Sequence, residues 1–310
     1  MTALARAPKV GSLLTAMLTP FAPSGEVDLD AAQGLAQFLI EQGNDGLVVT
    51  GTTGESPALS DEEKLLLYAR TKRAVGERAA IVAGTGGNNT RHSVELTKQA
   101  EAVGVDAILA VVPYYNKPTQ DGMLLHFGAI AEATALPVII YNIPGRTGAN
   151  MLPTTLLELA ARHPNIAGVK ESSGDLAQFS AILRDRPEGF RFWSGDDHLF
   201  LPALALGGDG LISVAAHLCA REYRALHAAY MRGDVAEAAR LHSLVSELVA
   251  TLFAVTNPIP VKWAMNELGF ALGPCRSPLG AMPRELAARL RPQLDVYRER
   301  ARPVAGVSRG

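Results

Sequence analysis

Lys170 closes the apolar run Ile166-Ala167-Gly168-Val169, and Tyr141 closes another, Val138-Ile139-Ile140. If both runs are buried strands, the lysine stem leaves a strand end and its amine lies among packed side chains. Desolvation there favours the neutral amine, the form that acts as a nucleophile. A phenol at the neighbouring strand end is placed to move protons while a carbinolamine forms and loses water. Each residue also has an ordinary reading. A lone Val-Lys-Glu fits a strand-end lysine reaching solvent or Glu171, and a lone strand tyrosine fits core.

The segment Gly51-Thr52-Thr53-Gly54-Glu55-Ser56 pairs hydroxyls with glycines, so that backbone amides can approach a carboxylate while Thr hydroxyls pass protons. It lacks the lysine of a phosphate loop, and a tight strand-to-helix turn explains it equally well. Arg146 follows a Pro-Gly turn just past Tyr141, where a guanidinium could grip a carboxylate in a fork or simply be solvated. The seven histidines (His92, His126, His163, His198, His217, His227 and His242) show no i,i+4 pair and no carboxylate at ligand spacing, so no metal is assigned.

For these groups to meet, strand ends must converge. From about residue 12 to residue 214, short apolar runs alternate with longer amphipathic stretches, the rhythm of βα units. The strand candidates are 13–19, 46–50, 80–83, 107–112, 138–141, 166–169, 191–194 and 210–214. Between them, 28–42, 60–75, 90–103, 120–134, 153–162, 175–184 and 197–206 read as helices, several opening on Ser, Thr or Asp, with Pro153 suited to a first turn. Strands that are apolar throughout rather than alternating are those of a parallel sheet covered on both faces. A doubly wound sheet would carry a Gly-rich turn after its first strand, and Leu18-Thr19-Pro20-Phe21 is none. The expectation is a (β/α)₈ TIM barrel over residues 1–220, with a C-terminal helical extension over 221–310 packed on it and a frayed tail from 301. In such a barrel the reactive residues collect at the carboxyl ends of the strands, where the groups above fall.

With 48% hydrophobic residues in 310, the chain can bury one large core without staples. Its formal charge of -2 comes from acids and bases spread along the whole length, which argues against nucleic acid and anionic membrane as partners. Cys219 and Cys275 cannot form a disulfide framework, and the first ten residues lack the apolar run of a signal peptide or membrane span, so a cytoplasmic location is expected.

Six segments together resemble the dihydrodipicolinate synthase branch of the N-acetylneuraminate lyase family, the pyruvate-dependent class I aldolases. They are GTTGES at 51–56, PYYNKP at 113–118, YNIPGRTG at 141–148, VKESSG at 169–174, SGDD at 194–197 and NPIPVKW at 257–263, and the resemblance covers about residues 10–300. It implies that Lys170 forms an imine with pyruvate, that Tyr141 is the central proton donor and acceptor, and that Thr53 with Tyr115 completes a hydroxyl relay. Thr52 and Thr53 would bind the pyruvate carboxylate, main-chain groups around Gly195 and Ile212 would line the same pocket, and Arg146 would receive the carboxylate of aspartate 4-semialdehyde. NPIPVKW would pack and do no chemistry.

The implied reaction is condensation of pyruvate with L-aspartate 4-semialdehyde to 4-hydroxy-tetrahydrodipicolinate, in lysine and diaminopimelate biosynthesis, with no cofactor beyond the lysine imine. Arg146 favours it over a sialic-acid lyase, whose sugar calls for hydroxyl-binding groups. The alternatives are another pyruvate aldolase, acting on a 2-keto-3-deoxy sugar acid or 4-hydroxy-2-oxoglutarate, and a barrel that only binds a keto acid. The resemblance also implies a homotetramer, a dimer of dimers in which Tyr115 completes the neighbouring subunit's relay. Lysine-inhibited members hold lysine at positions matching Ser56, Asp61, Lys64, Asn88, His92 and Tyr114. Lysine-sensitive bacterial forms have histidines at the first two helix positions and a glutamate at the last, where this chain has Asp61, Lys64 and His92, so weak or absent feedback is expected.

Overall fold

Eight short strands form the centre of the molecule, and almost every residue in them is buried. The computed structural model describes residues 10–300, so the tail from 301 and most of the first ten residues lie outside it. The strands are β1 (Leu13–Ala16), β2 (Gly46–Val49), β3 (Ala80–Gly84), β4 (Ala107–Val111), β5 (Val138–Asn142), β6 (Ile166–Glu171), β7 (Arg191–Ser194) and β8 (Gly210–Ser213). They pair in parallel in chain order and close on themselves, β8 beside β1, the (β/α)₈ barrel expected from the apolar runs.

The crossovers are α1 (Leu29–Glu41), α2 (Asp61–Val75), α3 (Thr90–Val103), α4 (Gln120–Glu132), the single turn α5 (Pro144–Thr147) with α6 (Pro153–Arg162), α7 (Leu176–Asp185) and α8 (Phe200–Ala205). Their starts are chemically marked. Ser60 and Glu63 form a reciprocal capping box on α2, the side chains of Asp28, Asn89, Thr119 and Asp175 accept from the first turns of α1, α3, α4 and α7, and Pro153 occupies the first turn of α6.

Two apolar layers follow from the period-2 alternation of the strands. Leu14, Val48, Val82, Leu109, Ile139, Trp193 and Ile212 point inward and pack with Tyr141 in the barrel interior. Leu13, Leu47, Ile81, Ile108, Ile140 and Leu211 point outward against the helices. Trp193 Nε1 donates to the Gly11 carbonyl at 3.0 Å at the other end of the barrel from the cleft described below.

Beyond β8 the chain is helical: α9 (Ala216–Met231), α10 (Val235–Leu252), α11 (Ile259–Glu267), α12 (Arg284–Leu290) and α13 (Asp295–Arg298). The sequence from Arg221 to about Val255 is Ala/Leu-rich with helical periodicity, yet the helix is broken at 232–234, where Gly233 takes φ +83° and Asp234 caps the next helix. Ala and Leu continue on both sides, so hydrophobic periodicity alone does not show the break. β1 stops at Ala16, three residues short of the expected end: the Met17 amide still reaches the Val48 carbonyl, but the Leu18 amide donates to His217 and the Thr19 hydroxyl to the Gly54 carbonyl. Among the described residues no helix is long and apolar enough to cross a membrane.

Candidate active site

β5 and β6 run one and two residues beyond the lengths expected from hydrophobicity, because their last polar pair is buried on the outer face. Asn142 Nδ2 donates to both Glu171 oxygens at 3.1 Å, Ser173 N donates at 2.7 Å and Gln178 Nε2 at 3.2 Å. Burial pushes the Glu171 carboxyl pKa up, and the donors from Asn142 and Ser173 pull it back. This outward pair fixes the register in which Tyr141 lies opposite Lys170. By alternation those two then face inward together.

Lys170 is 4% exposed, and its Nζ stands 4.1 Å from the centroid of the Tyr141 ring. Gly195 follows β7 beside them: a Cβ there would overlap Ser172 Oγ and stand 2.8 Å from Lys170 Cε, so only glycine leaves the lysine stem its path. Ile212 is fully buried in the interior layer that also contains Tyr141.

Above them opens a cleft of about 200 Å³, walled by Gly51, Thr52, Tyr141, Ile143 and Arg146 among others. The loop after β2 is held in an uncommon shape, with Thr50 at φ +55° and Glu55 at φ +57°. Thr50 Oγ1 pairs with the buried Tyr68 hydroxyl at 2.6 Å, which donates to the Gly84 carbonyl at 2.9 Å. At the other end Glu55 turns inward, where Lys262 Nζ meets its carboxylate at 2.7 Å and the Arg276 amide donates at 2.8 Å. Desolvation lowers the Lys262 pKa, and Glu55 works against that fall. Thr53, between these anchors, is 2% exposed.

Arg146 stands on the one-turn α5, exposed at the cleft, and donates to the Asn257 carbonyl at 3.3 Å. Asn257 also donates through Nδ2 to Thr53 Oγ1 at 3.0 Å. The segment 257–263, expected to pack and do no chemistry, therefore touches two of the expected site residues. Nothing in the local pattern marks Asn257, since its partners lie 204 and 111 positions away.

Lys170, Tyr141 and Gly195 thus meet at one end of the interior, Ile212 belongs to the same interior layer as Tyr141, Thr52 and Arg146 line the cleft, and Thr53 is joined to Arg146 through Asn257. Tyr115 stands apart at 90% exposure, with φ +73°, in a loop tied down by the Asn116 side chain on the Asn88 carbonyl at 2.8 Å. Among the described residues no group of three or more His, Cys, Asp or Glu could hold a metal ion. Burial lowers the pKa of His126 and of His217 to about 4. His217 clips the first strand to the last: the Leu18 amide donates to its Nε2 at 3.2 Å, and its Nδ1 donates to the Val214 carbonyl at 2.8 Å.

A buried amine and a phenol below a cleft with a guanidinium at its rim can form an imine and receive an acid. Known proteins share this chain's sequence and shape. The model of the Dihydrodipicolinate synthetase family matches residues 9–296. The 4-hydroxy-tetrahydrodipicolinate synthase of Moorella thermoacetica is 54% identical over 275 residues, 89% of this chain and 94% of that protein. The protein of the same name from Bacillus subtilis is 47% identical over 269 residues, 87% and 93% of the two chains. Among solved structures, DHDPS from Cyanidioschyzon merolae with lysine bound matches at TM-score 0.92 and 42% identity, over 94% of this chain and 99% of that one. Dihydrodipicolinate synthase from Aquifex aeolicus matches at 0.90 and 41%, over 96% and 100%.

Proposed function

The chain belongs to the dihydrodipicolinate synthetase family, and from that premise we propose that it condenses pyruvate with L-aspartate 4-semialdehyde to 4-hydroxy-tetrahydrodipicolinate, a step of lysine and diaminopimelate biosynthesis. The Lys170 amine adds to the pyruvate ketone carbon, and loss of water leaves an imine. Removal of a methyl proton gives an enamine whose carbon attacks the aldehyde, and the alkoxide formed takes a proton. The semialdehyde's own amine then displaces the lysine as the ring closes, which frees Lys170 for the next turnover. No cofactor beyond this covalent imine enters.

Tyr141 is the proton donor and acceptor of these steps, with Thr53 and Tyr115 as the rest of its relay. Thr52 and Thr53 receive the pyruvate carboxylate, main-chain groups around Gly195 and Ile212 line its seat, and Arg146 at the rim takes the semialdehyde carboxylate in a fork. The exposure of Tyr115 supports its acting in a neighbouring subunit's site, within a cytoplasmic homotetramer built as a dimer of dimers. We read residues 1–220 as the catalytic barrel and 221–310 as its helical extension.

The observation that carries the proposal is the Lys170 amine 4.1 Å from the Tyr141 ring, at 4% exposure. The test is turnover of the purified protein with pyruvate and aspartate semialdehyde, together with borohydride reduction in labelled pyruvate. Label on Lys170, lost in Lys170→Ala, and consumption of the semialdehyde are the expected results. An adduct with turnover only of keto-deoxy sugar acids would make it a different pyruvate aldolase, and no turnover with any aldehyde would leave a binding barrel.

A further inference from the structure

Asn257 touches two groups given separate tasks above, one through its side chain and one through its main chain: its Nδ2 donates to Thr53 Oγ1 at 3.0 Å and its main-chain carbonyl accepts from Arg146 at 3.3 Å. It is 6% exposed, and its Oδ1 is buried with no partner among the described residues. Nδ2 uses one of its two donors and Oδ1 neither of its lone pairs, so the amide is costly to bury, and an apolar side chain would fill the space without that cost. Among the described residues, the hydrogen bond this amide side chain makes is the one from Nδ2 to Thr53.

A threonine hydroxyl has one proton to donate and two lone pairs to accept with. With the Asn257 amide donating into one lone pair, the Thr53 proton is turned away from Asn257, and the second lone pair stays free. The two segments cannot drift apart, because Glu55, two residues after Thr53, is ion-paired at 2.7 Å with Lys262, five residues after Asn257. The Arg276 amide holds the same carboxylate at 2.8 Å.

Resting on the reading of Thr53 as part of the proton relay, we propose that Asn257 is a positioning residue that sets the direction of proton transfer through Thr53 by donating to its oxygen, while its main chain seats Arg146. The two tasks are separable: substitution removes the side-chain donor and leaves the carbonyl in place. Relay defects therefore appear in kcat, and the KM for the semialdehyde is nearly conserved.

The test compares Asn257→Ala and Asn257→Asp with the wild type. Asn257→Ala lowers kcat by roughly 10-fold, part of what a general acid–base group contributes, because Thr53 is no longer oriented, and changes the semialdehyde KM by less than about 3-fold, since a carbonyl contact is retained. Asn257→Asp has the same shape, but its carboxylate only accepts, so Thr53 must donate to it and the relay reverses. Its kcat at neutral pH falls below that of Asn257→Ala, and its kcat relative to wild type at the same pH climbs as the pH is lowered and the carboxyl gains a proton. In a Thr53→Val background the Asn257→Ala change costs less than about 2-fold further, because its effect passes through the hydroxyl already removed. Wild-type kcat in Asn257→Asp, a loss confined to the semialdehyde KM, or full additivity with Thr53→Val overturns the proposal. If Asn257→Ala does not fold, the isosteric Asn257→Asp and its pH ratio decide alone. Wild-type turnover tests the proposed reaction, and only the ratios of variant to wild type test Asn257.

Discussion

At the scale of residues, Gly195 and Lys170 constrain each other. A methyl group at 195 would overlap Ser172 Oγ and press on Lys170 Cε from 2.8 Å, so Gly195→Ala must displace the lysine stem. A displacement of order 1 Å at a reacting group costs about 10²-fold in rate. Gly195→Ala is expected to lose about that much kcat and most of its borohydride-trapped pyruvate, with a thermal midpoint near wild type; an unaltered kcat would show that the stem has room. A second residue-scale expectation concerns Asp61, which Lys64 engages at 3.2 Å and His92 at 2.6 Å. An arriving lysine would find that carboxylate occupied and a cation beside it, so submillimolar lysine should leave the steady-state rate unchanged. Inhibition in that range would contradict this. Lys170, Tyr141 and Arg146 were legible in the sequence because each sits at or just past a strand end, where the chain's own rhythm places it. Asn257 was not, since its value comes from loops that meet only in three dimensions.

At the scale of elements, the loop 51–56 is bent by left-handed Thr50 and Glu55, and a buried ion pair holds it there. Both side chains of the pair are 1% exposed, and Lys262 Nζ also lies 4.1 Å from the Phe21 ring centroid. Removing one partner strands a buried charge, so Lys262→Met should cost about 3–5 kcal/mol in denaturant unfolding, whereas Lys262→Met with Glu55→Gln should recover most of it. Equal losses in single and double variants would mean that packing, not charge, anchors the loop. Burial of His217 between the first and last strands gives a pH signature. Its folded pKa of about 4 lies below the ordinary 6.5, so the unfolded chain takes up the proton first as pH falls. Its contribution is whole above about pH 6.5 and is lost down to about pH 4, an upper figure of about 3 kcal/mol. Buried Glu171 and Asp197, raised by burial, tilt the opposite way within that window. The measurable quantity is therefore wild-type stability minus that of His217→Gln, followed from pH 7 to 4; a flat difference would rule the buried imidazole out as the cause. The strands were readable from their apolar runs, but the ends of β5 and β6 were not, because buried Asn142 and Glu171 look like loop residues until their partners are known.

At the scale of the whole molecule, one expected relay member does not reach the site of its own chain. Tyr115 is 90% exposed on a loop shaped by its own φ of +73° and by Lys117 at +44°, while Tyr141 and Thr53 are buried. A large aromatic held outward by a strained turn is a poor surface residue and a good contact for a second copy. If each site takes Lys170 from one subunit and Tyr115 from its neighbour, the two defects can complement. Lys170→Ala and Tyr115→Phe chains, each nearly inactive alone, are unfolded together and refolded so that subunits exchange. In a mixed pair, the subunit that retains Lys170 faces a partner that retains Tyr115, so one of the two sites is whole. Random pairing makes half of the pairs mixed, and about one quarter of wild-type activity should return. Activity no greater than the average of the two separate variants would place Tyr115 outside the neighbouring site, and with it would fall the reason for expecting the enzyme to work only as an assembly.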